Sequence, residues 1–250
     1  MIKAYDLLLE LELLGTEQNR KVYRRHGVNS YQFGVSFANL KRLAKRIGAN
    51  TPLAEMLWCS GVHDARVLAT MVADDQSIKE CLLERWLLDL DNYVLTDAFS
   101  DLVGRTRFAL KKADAWSAST LEWVGAAGWN LVAQLALHDP SLKDAYFLEK
   151  LESIEDYIHE RPNRARYSMN NALIAIGVRS PALEQAAMAV SDHIGKVQVD
   201  HGETSCKTPD ARAYILKTIQ HRKRKTRPLR RMGWYYNKTY LLHNNDINTV

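Results

Sequence analysis

"FGVSFANLKRLAKRIGAN", residues 33–50, decides how the rest of the chain is read. Phe37, Leu40, Leu43 and Ala44 recur at the spacing of one helix face, so the segment predicts an amphipathic α-helix rather than a strand. Ser36 stands where an N-cap belongs, and "GAN" interrupts the pattern just before Pro52 opens the next apolar stripe.

The same grammar repeats in both directions. Leu7, Leu8, Leu11 and Leu14 form a stripe at the start, and further helices fit Pro52 to Cys59, His63 to Ala73, Ile78 to Leu90, Tyr93 to Val103, Leu121 to Leu137, Leu142 to His159, Ala165 to Ile176 and Ala182 to Ile194. The breaks are short ("GAN", "SG", "DDQS", "HDP", "RPN", "RSP"), which makes consecutive helices antiparallel neighbours. No stretch alternates as a strand does. Helix pairs repeated along one chain predict an all-α architecture, an α-solenoid whose concave surface suits an extended polymer.

Composition narrows the class. The 250 residues are 46% hydrophobic and 25% charged, as in a folded soluble domain. Cys59 and Cys81 sit in apolar helical patterns and are expected in the core, and with Cys206 they make an odd count that indicates no disulfide framework. A reducing, cytoplasmic setting is expected. Asp6, Glu10 and Glu12 interrupt the first apolar stretch as no signal-peptide core would, and the longest charge-free apolar run, Trp123 to Leu137, is too short to span a bilayer. No membrane partner is expected. Trp58, Trp86, Trp116, Trp123 and Trp129 lie in apolar helical contexts and are expected to pack between repeats.

The net charge of +5 is unevenly spread. From Ser205 onward eleven Lys and Arg face two Asp, a net +9, which leaves −4 on the preceding 204 residues. Such a basic block is the footprint of a phosphate-backbone binder. Its Lys207, Arg222, Lys223, Arg224, Lys225, Arg227, Arg230 and Arg231 are candidate DNA contacts. Trp234, Tyr235, Tyr236 and Tyr240 follow "RKRKTRPLRR" directly, interleaving aromatics with cations as single-strand or distorted-DNA surfaces do; docking on the last repeat is the other reading. The expected division is a helical repeat domain over 1–221 and a basic, aromatic segment over 222–250, packed on or extending from the last repeat.

Two local clusters are candidates for chemistry. "HGETSCKTPDARAYI", 201–215, gathers His201, Glu203 and Cys206, but no spaced pair completes a four-ligand metal set. Thr208, Pro209 and Asp210 instead read as a helix start with Thr208 as N-cap, preceded by a loop whose Gly202, Thr204, Ser205 and Lys207 suit an anion. Neither metal nor cofactor is expected. In "DLDNYVLTDAFSDLVG", 89–104, Tyr93, Asp97 and Asp101 share a helix face at i, i+4 and i+8.

Over most of its length the chain resembles the bacterial DNA alkylation repair glycosylases of the AlkD type, built from HEAT-like repeats. The stretches that carry the likeness are "FGVSFANLKRLAKRIGAN", "LAEMLWCSGVHDARVLATMV" and "LEWVGAAGWNLVAQLAL". The resemblance implies a solenoid of HEAT-like repeats with a concave basic surface that binds double-stranded DNA, damaged or distorted, as a monomer. It places the family's catalytic Asp at Asp97 and puts Tyr93 where that family has a Trp. The family's Arg falls at Ala126 and its second Trp near Asn171, so both are missing here. Arg164 and Arg166, one turn before Asn170, are the candidate replacements for the lost phosphate grip. A base alkylated at N3 or N7 leaves readily; the carboxylate need only stabilise the oxocarbenium-like sugar, while aromatic faces hold the cationic base. Excision of cationic alkylpurines through Asp97 and Tyr93 is therefore the first expectation. A non-catalytic binder of damaged, bent or branched DNA is the alternative, and a protein scaffold with a basic end the third.

Overall fold

In the computed structural model, which describes residues 3–226, the described chain is helical throughout and contains no strand. Its elements are α1 (Ala4–Leu14), α2 (Glu17–Arg25), α3 (Phe37–Ile47), α4 (Thr51–Cys59), α5 (His63–Val72), α6 (Glu80–Leu87), α7 (Tyr93–Gly104), α8 (Ala109–Ser117), α9 (Glu122–His138), α10 (Asp144–Tyr157), α11 (Asn163–Gly177), α12 (Pro181–Ile194) and α13 (Ala211–Thr226). Helix α13 continues unbroken through residues 221 and 222, and residues 227–250, with Arg227, Arg230, Arg231 and the aromatics from Trp234, lie outside the described residues, as does the side chain of Lys225.

The opening stretch folds as read. Ser36 accepts from the Asn39 N–H at the start of α3, Gly48 ends it at φ 73°, and Asn50 caps α4 by accepting from Leu53 N–H with Pro52 in the first turn. From α3 onward the helices alternate between two layers. α3, α5, α7, α9, α11 and α13 touch in succession to form one layer, while α4, α8 and α12 pack behind α5, α9 and α11. Trp58 of α4 stacks flat on Trp86 of α6, centroids 4.3 Å apart, and Phe99 of α7 stacks on Trp116 of α8 at 5.7 Å. Such pairs add about 0.5–1.5 kcal/mol beyond the area they bury. Gly128 lets α9 press on the backbone of α8: a Cβ there would meet Ser117 N at 2.1 Å.

Two helices were not legible from periodicity. Helix α2, "EQNRKVYRR", buries only Tyr23, and α8 buries Ala109, Ala113 and Trp116 around a buried Lys112, so neither shows a clean apolar stripe. The signs of α2 are electrostatic: Thr16 caps it, Glu17 sits in its first turn and Arg24 and Arg25 in its last. Cys59 and Cys81, expected in the core, are exposed, because Leu57 and Trp58 on α4 and Leu82 and Leu83 on α6 take the inward positions.

Helix α2 is held in place by a buried carboxylate. Asp64, fully buried at the start of α5, accepts from the backbone N–H groups of Phe33, Gly34 and Val35 at 2.6, 3.3 and 2.6 Å. That clasp fixes the loop that returns from α2, to which Tyr23 also donates through Val35 O at 2.6 Å. Tyr23 and Val28 then pack on Val94 of α7. Replacing Asp64 by Ala leaves three donors in the interior without an acceptor, and the expected loss of at least about 3 kcal/mol is measurable by urea unfolding.

Beside it, burial holds the His63 imidazole down to about 4, against a smaller opposing pull from Asp64. A base whose folded value is depressed contributes stability above its unfolded value of 6.5 and loses it as pH falls toward 4. Unfolding free energy should therefore fall as pH drops below 6.5 through this group, a fall absent in His63→Gln when the two proteins are titrated side by side.

Candidate functional site

The two halves of the site lie on α7 and α11, with α9 between them in the α3–α13 layer. Asn92 is buried and caps α7 by accepting from Leu95 N–H at 3.0 Å, which sets Tyr93 at the first helical position and Asp97 one turn later. From α9, Asn130 donates to Asp97 Oδ1 at 2.9 Å. From α11, Arg164 donates to Asp97 Oδ2 at 3.3 Å, with only 12% of its side chain exposed.

The guanidinium of Arg164 lies 4.1 Å from the ring centroid of Tyr93 and 4.2 Å from that of Tyr167, so it sits between the two aromatics. Its Nε is buried and makes no hydrogen bond. Each ring is braced in turn. Tyr93 Oη meets His26 Nδ1, from the end of α2. Tyr167 is hydrogen-bonded by Asn171 and meets His201 edge-on at 5.5 Å. Burial raises both phenols above the ordinary tyrosine value, with the Arg164 charge pulling the other way, so both stay neutral. Burial, then the same cation, lowers His201.

This geometry gives the described residues singled out in the sequence a place. Asp97 and Tyr93 come together as their spacing implied. Arg164 joins them as their occupant: its charge faces Asp97 rather than the solvent. Arg166 is engaged with backbone, donating to the carbonyls of Gln198, His159 and Arg161. Lys207 lies in the loop before α13, and Arg222 donates to Val178 O behind the end of α11 while Arg224 is exposed. Asp101 accepts from Gln134 at 3.1 Å. Ala126 is buried in α9 and supplies no charge, and Asn171 supports a tyrosine where the resemblance puts a Trp. Tyr167 and Asn130 were missed, although Tyr167, at i+3 from Arg164, carries the spacing of a shared helix face.

The loop over 201–210 is a brace. Thr204 donates to His201 O, Cys206 N–H bonds back to Thr204, and His201 Nε2 meets Thr208 Oγ1 at 3.0 Å. Thr208 is not the cap of α13: Asp210 accepts from Ala213 N–H at 2.7 Å, so the helix starts two residues later than read. Among the described residues no three His, Cys, Asp or Glu converge as metal ligands. No helix among them is long and apolar enough to cross a membrane.

Comparison with known proteins agrees with this architecture. The family model "DNA alkylation repair enzyme" matches residues 7–215. The uncharacterized proteins Lmo0209 of Listeria monocytogenes and Lin0241 of Listeria innocua are each 29% identical over 223 residues, 87% of this chain and 97% of theirs. A solved structure described as "a new family of proteins related to the HEAT-like repeat DNA glycosylases with affinity for branched DNA structures" is 29% identical, with a TM-score of 0.81 over 88% of this chain and 95% of its own.

Two desolvated cation–π contacts and one ion pair depend on Arg164. Arg164→Ala should cost about 2–3 kcal/mol in urea unfolding. Arg164→Lys should recover less than half of it, because an ammonium has no flat face to lie between two rings.

Proposed function

Since the chain belongs to the DNA alkylation repair enzyme family, we propose that it is a DNA-binding member that recognises branched or bent double-stranded DNA without excising bases. The observation that carries this reading is Arg164 between Tyr93 and Tyr167 and paired with Asp97.

Excision of a cationic alkylpurine asks two things of a site: aromatic faces open to the charged base, and a carboxylate whose charge is available to the sugar cation. Here the chain's own guanidinium occupies the faces between the tyrosines and already draws on the carboxylate. A cationic base entering beside it would meet a like charge, worth about 4 kcal/mol of repulsion at 4 Å in an effective dielectric near 20. The remaining oxygen of Asp97 is held by Asn130. The excision chemistry attributed to Asp97 and Tyr93 is thereby opposed from within the site.

DNA binding does not depend on that pocket. Phosphate contacts supply most of the affinity and base contacts the discrimination, so the first survives loss of the second. The basic residues Lys207, Arg222, Lys223, Arg224, Lys225, Arg227, Arg230 and Arg231 serve as backbone contacts in this reading. Arg166 serves by fixing the loop that carries Lys207. The relative described as having affinity for branched DNA supports the choice of branched over damaged DNA as ligand. The protein acts in the cytoplasm, as a monomer and without a cofactor.

Incubation of the full chain with methylated DNA should release neither 7-methylguanine nor 3-methyladenine. The same protein should bind a four-way junction more tightly than linear duplex, with a steep salt dependence. Release of either base by the wild type, abolished in Asp97→Asn, would restore the glycosylase reading.

A further inference from the structure

The positive charge near the site is not confined to the end of the chain. Residues 17–46 carry eight Lys and Arg against one Glu. Of these, Lys21, Arg24 and Arg25 of α2 are exposed, and none forms an ion pair with another described residue. Together with Gln18, Asn29, Gly202 and Glu203 they line an open groove of about 700 Å³ between α2 and the loop that leads to α13. Gly202 reaches α2 itself, its Cβ position 3.8 Å from Arg25 O.

Both walls of the groove are braced by contacts. On one side Tyr23 and Val28 bind α2 to Val94, and His26 meets Tyr93. On the other, Asn163 and Asp200 exchange two hydrogen bonds of 2.8 Å, and His201 leans on Tyr167. Three exposed cations beside a loop that adds Gly202 and one carboxylate, Glu203, form a net-positive surface for phosphates.

The layer between the groove and the basic end of α13 is different. The Lys and Arg of α5, α7, α9 and α11 are Arg66, Arg164 and Arg166, and each is engaged: Arg66 with Asp89 and Trp58 O, Arg164 with Asp97, Arg166 with three carbonyls. Residues 47–204 as a whole hold 14 Lys and Arg against 23 Asp and Glu. The groove lies at the N-terminal ends of α7 and α11, whereas Arg222 of α13 bonds the carbonyl just past the end of α11. The 15 residues of α11 separate the two by about 22 Å.

From two cationic poles flanking a layer whose own arginines are all engaged, and resting on the reading of the protein as a branched-DNA binder, we infer that the α2 groove seats the phosphodiester backbone of a second duplex arm while the basic end of α13 holds the first. A single straight duplex laid across both poles would pass over a stretch that offers its phosphates no uncommitted cation. Two arms diverging from a branch point place phosphates on both poles and leave the middle uncovered.

The test is a comparison of wild-type full chain with the triple variant Lys21→Glu, Arg24→Glu, Arg25→Glu, and with its glutamine counterpart, on a four-way junction and on linear duplex over a range of salt. Tyr23, Val28 and His26 are untouched, and circular dichroism with thermal unfolding reports whether α2 remains docked. The expected result is a loss of at least tenfold in junction affinity, with the salt slope shallower by about 2–3 because each lost phosphate contact removes about 0.9. Duplex affinity should change less than twofold, and the glutamine variant should fall between. Unchanged junction binding in folded variants overturns the inference, and so does an equal loss on both DNAs, which would make the groove a general backbone contact. A wild type that binds no DNA, or binds both equally, instead sinks the functional reading beneath it.

Discussion

A guanidinium held between two tyrosines and against a carboxylate is the interaction on which the site depends. Arg164, Tyr167, Tyr93, Asp97 and Asn130 come from three successive helices of one layer, so the cluster ties α7, α9 and α11 together. A cation so placed satisfies both demands of a cation-binding pocket, π-faces and a counter-charge, and it does so intramolecularly. No ordering of a separate ligand has to be offset, so the resident group holds an entropic advantage over any incoming base.

That arrangement needs α2 in position, and α2 has little apolar surface with which to hold itself. The fully buried Asp64 compensates by converting three backbone donors of the returning loop into acceptor-satisfied groups, after which Tyr23 anchors on Val35 and His26 reaches Tyr93. A buried carboxylate is costly unless its oxygens are fully used, and here they are. The polar helix is thus positioned by hydrogen bonding from beneath, leaving its charged face to solvent. Local structure and charge distribution follow from one buried group.

Much of the fold was legible because it rests on repetition. Ser36, Asn50 and Pro52 announce their helices, and the apolar period carries α3, α4, α5, α7, α9, α11 and α12 within a few residues. What escaped was held together by something other than an apolar stripe. Helix α2 is stabilised by its cap, its dipole and Asp64, and α8 encloses Lys112, whose charge is met by Glu80 and Glu84 from α6. The cap of α13 was misplaced because Thr208 and Asp210 both suit that role, and the contact of Thr208 with His201, seven residues earlier, settles which is used. At the site, Asp97 and Tyr93 were readable from spacing within one helix. The partnership of Asp97 with Arg164 spans 67 residues, and no local pattern encodes which arginine faces which carboxylate.

Charge shows the same limit. Net values of +9 for the end of the chain and −4 for the rest suggested one basic terminus on a mildly acidic body. That −4 is the sum of a mildly acidic start, 1–16, a strongly basic segment, 17–46, and a strongly acidic one, 47–204, and summing hid the second pole. Folding brings α2 against the loop that precedes α13, so charge from near the start of the chain and polar backbone from near its end share one groove. Affinity for a polyanion depends on where cations stand in space and on whether acids of the same protein already engage them. By both measures Lys21, Arg24 and Arg25 stand at the margin of the helical layer outside any ion pair with a described residue, while the arginines of its middle, Arg66, Arg164 and Arg166, are each engaged. In the reading proposed above, branch-point DNA suits that distribution, since its arms diverge where the protein's charge does.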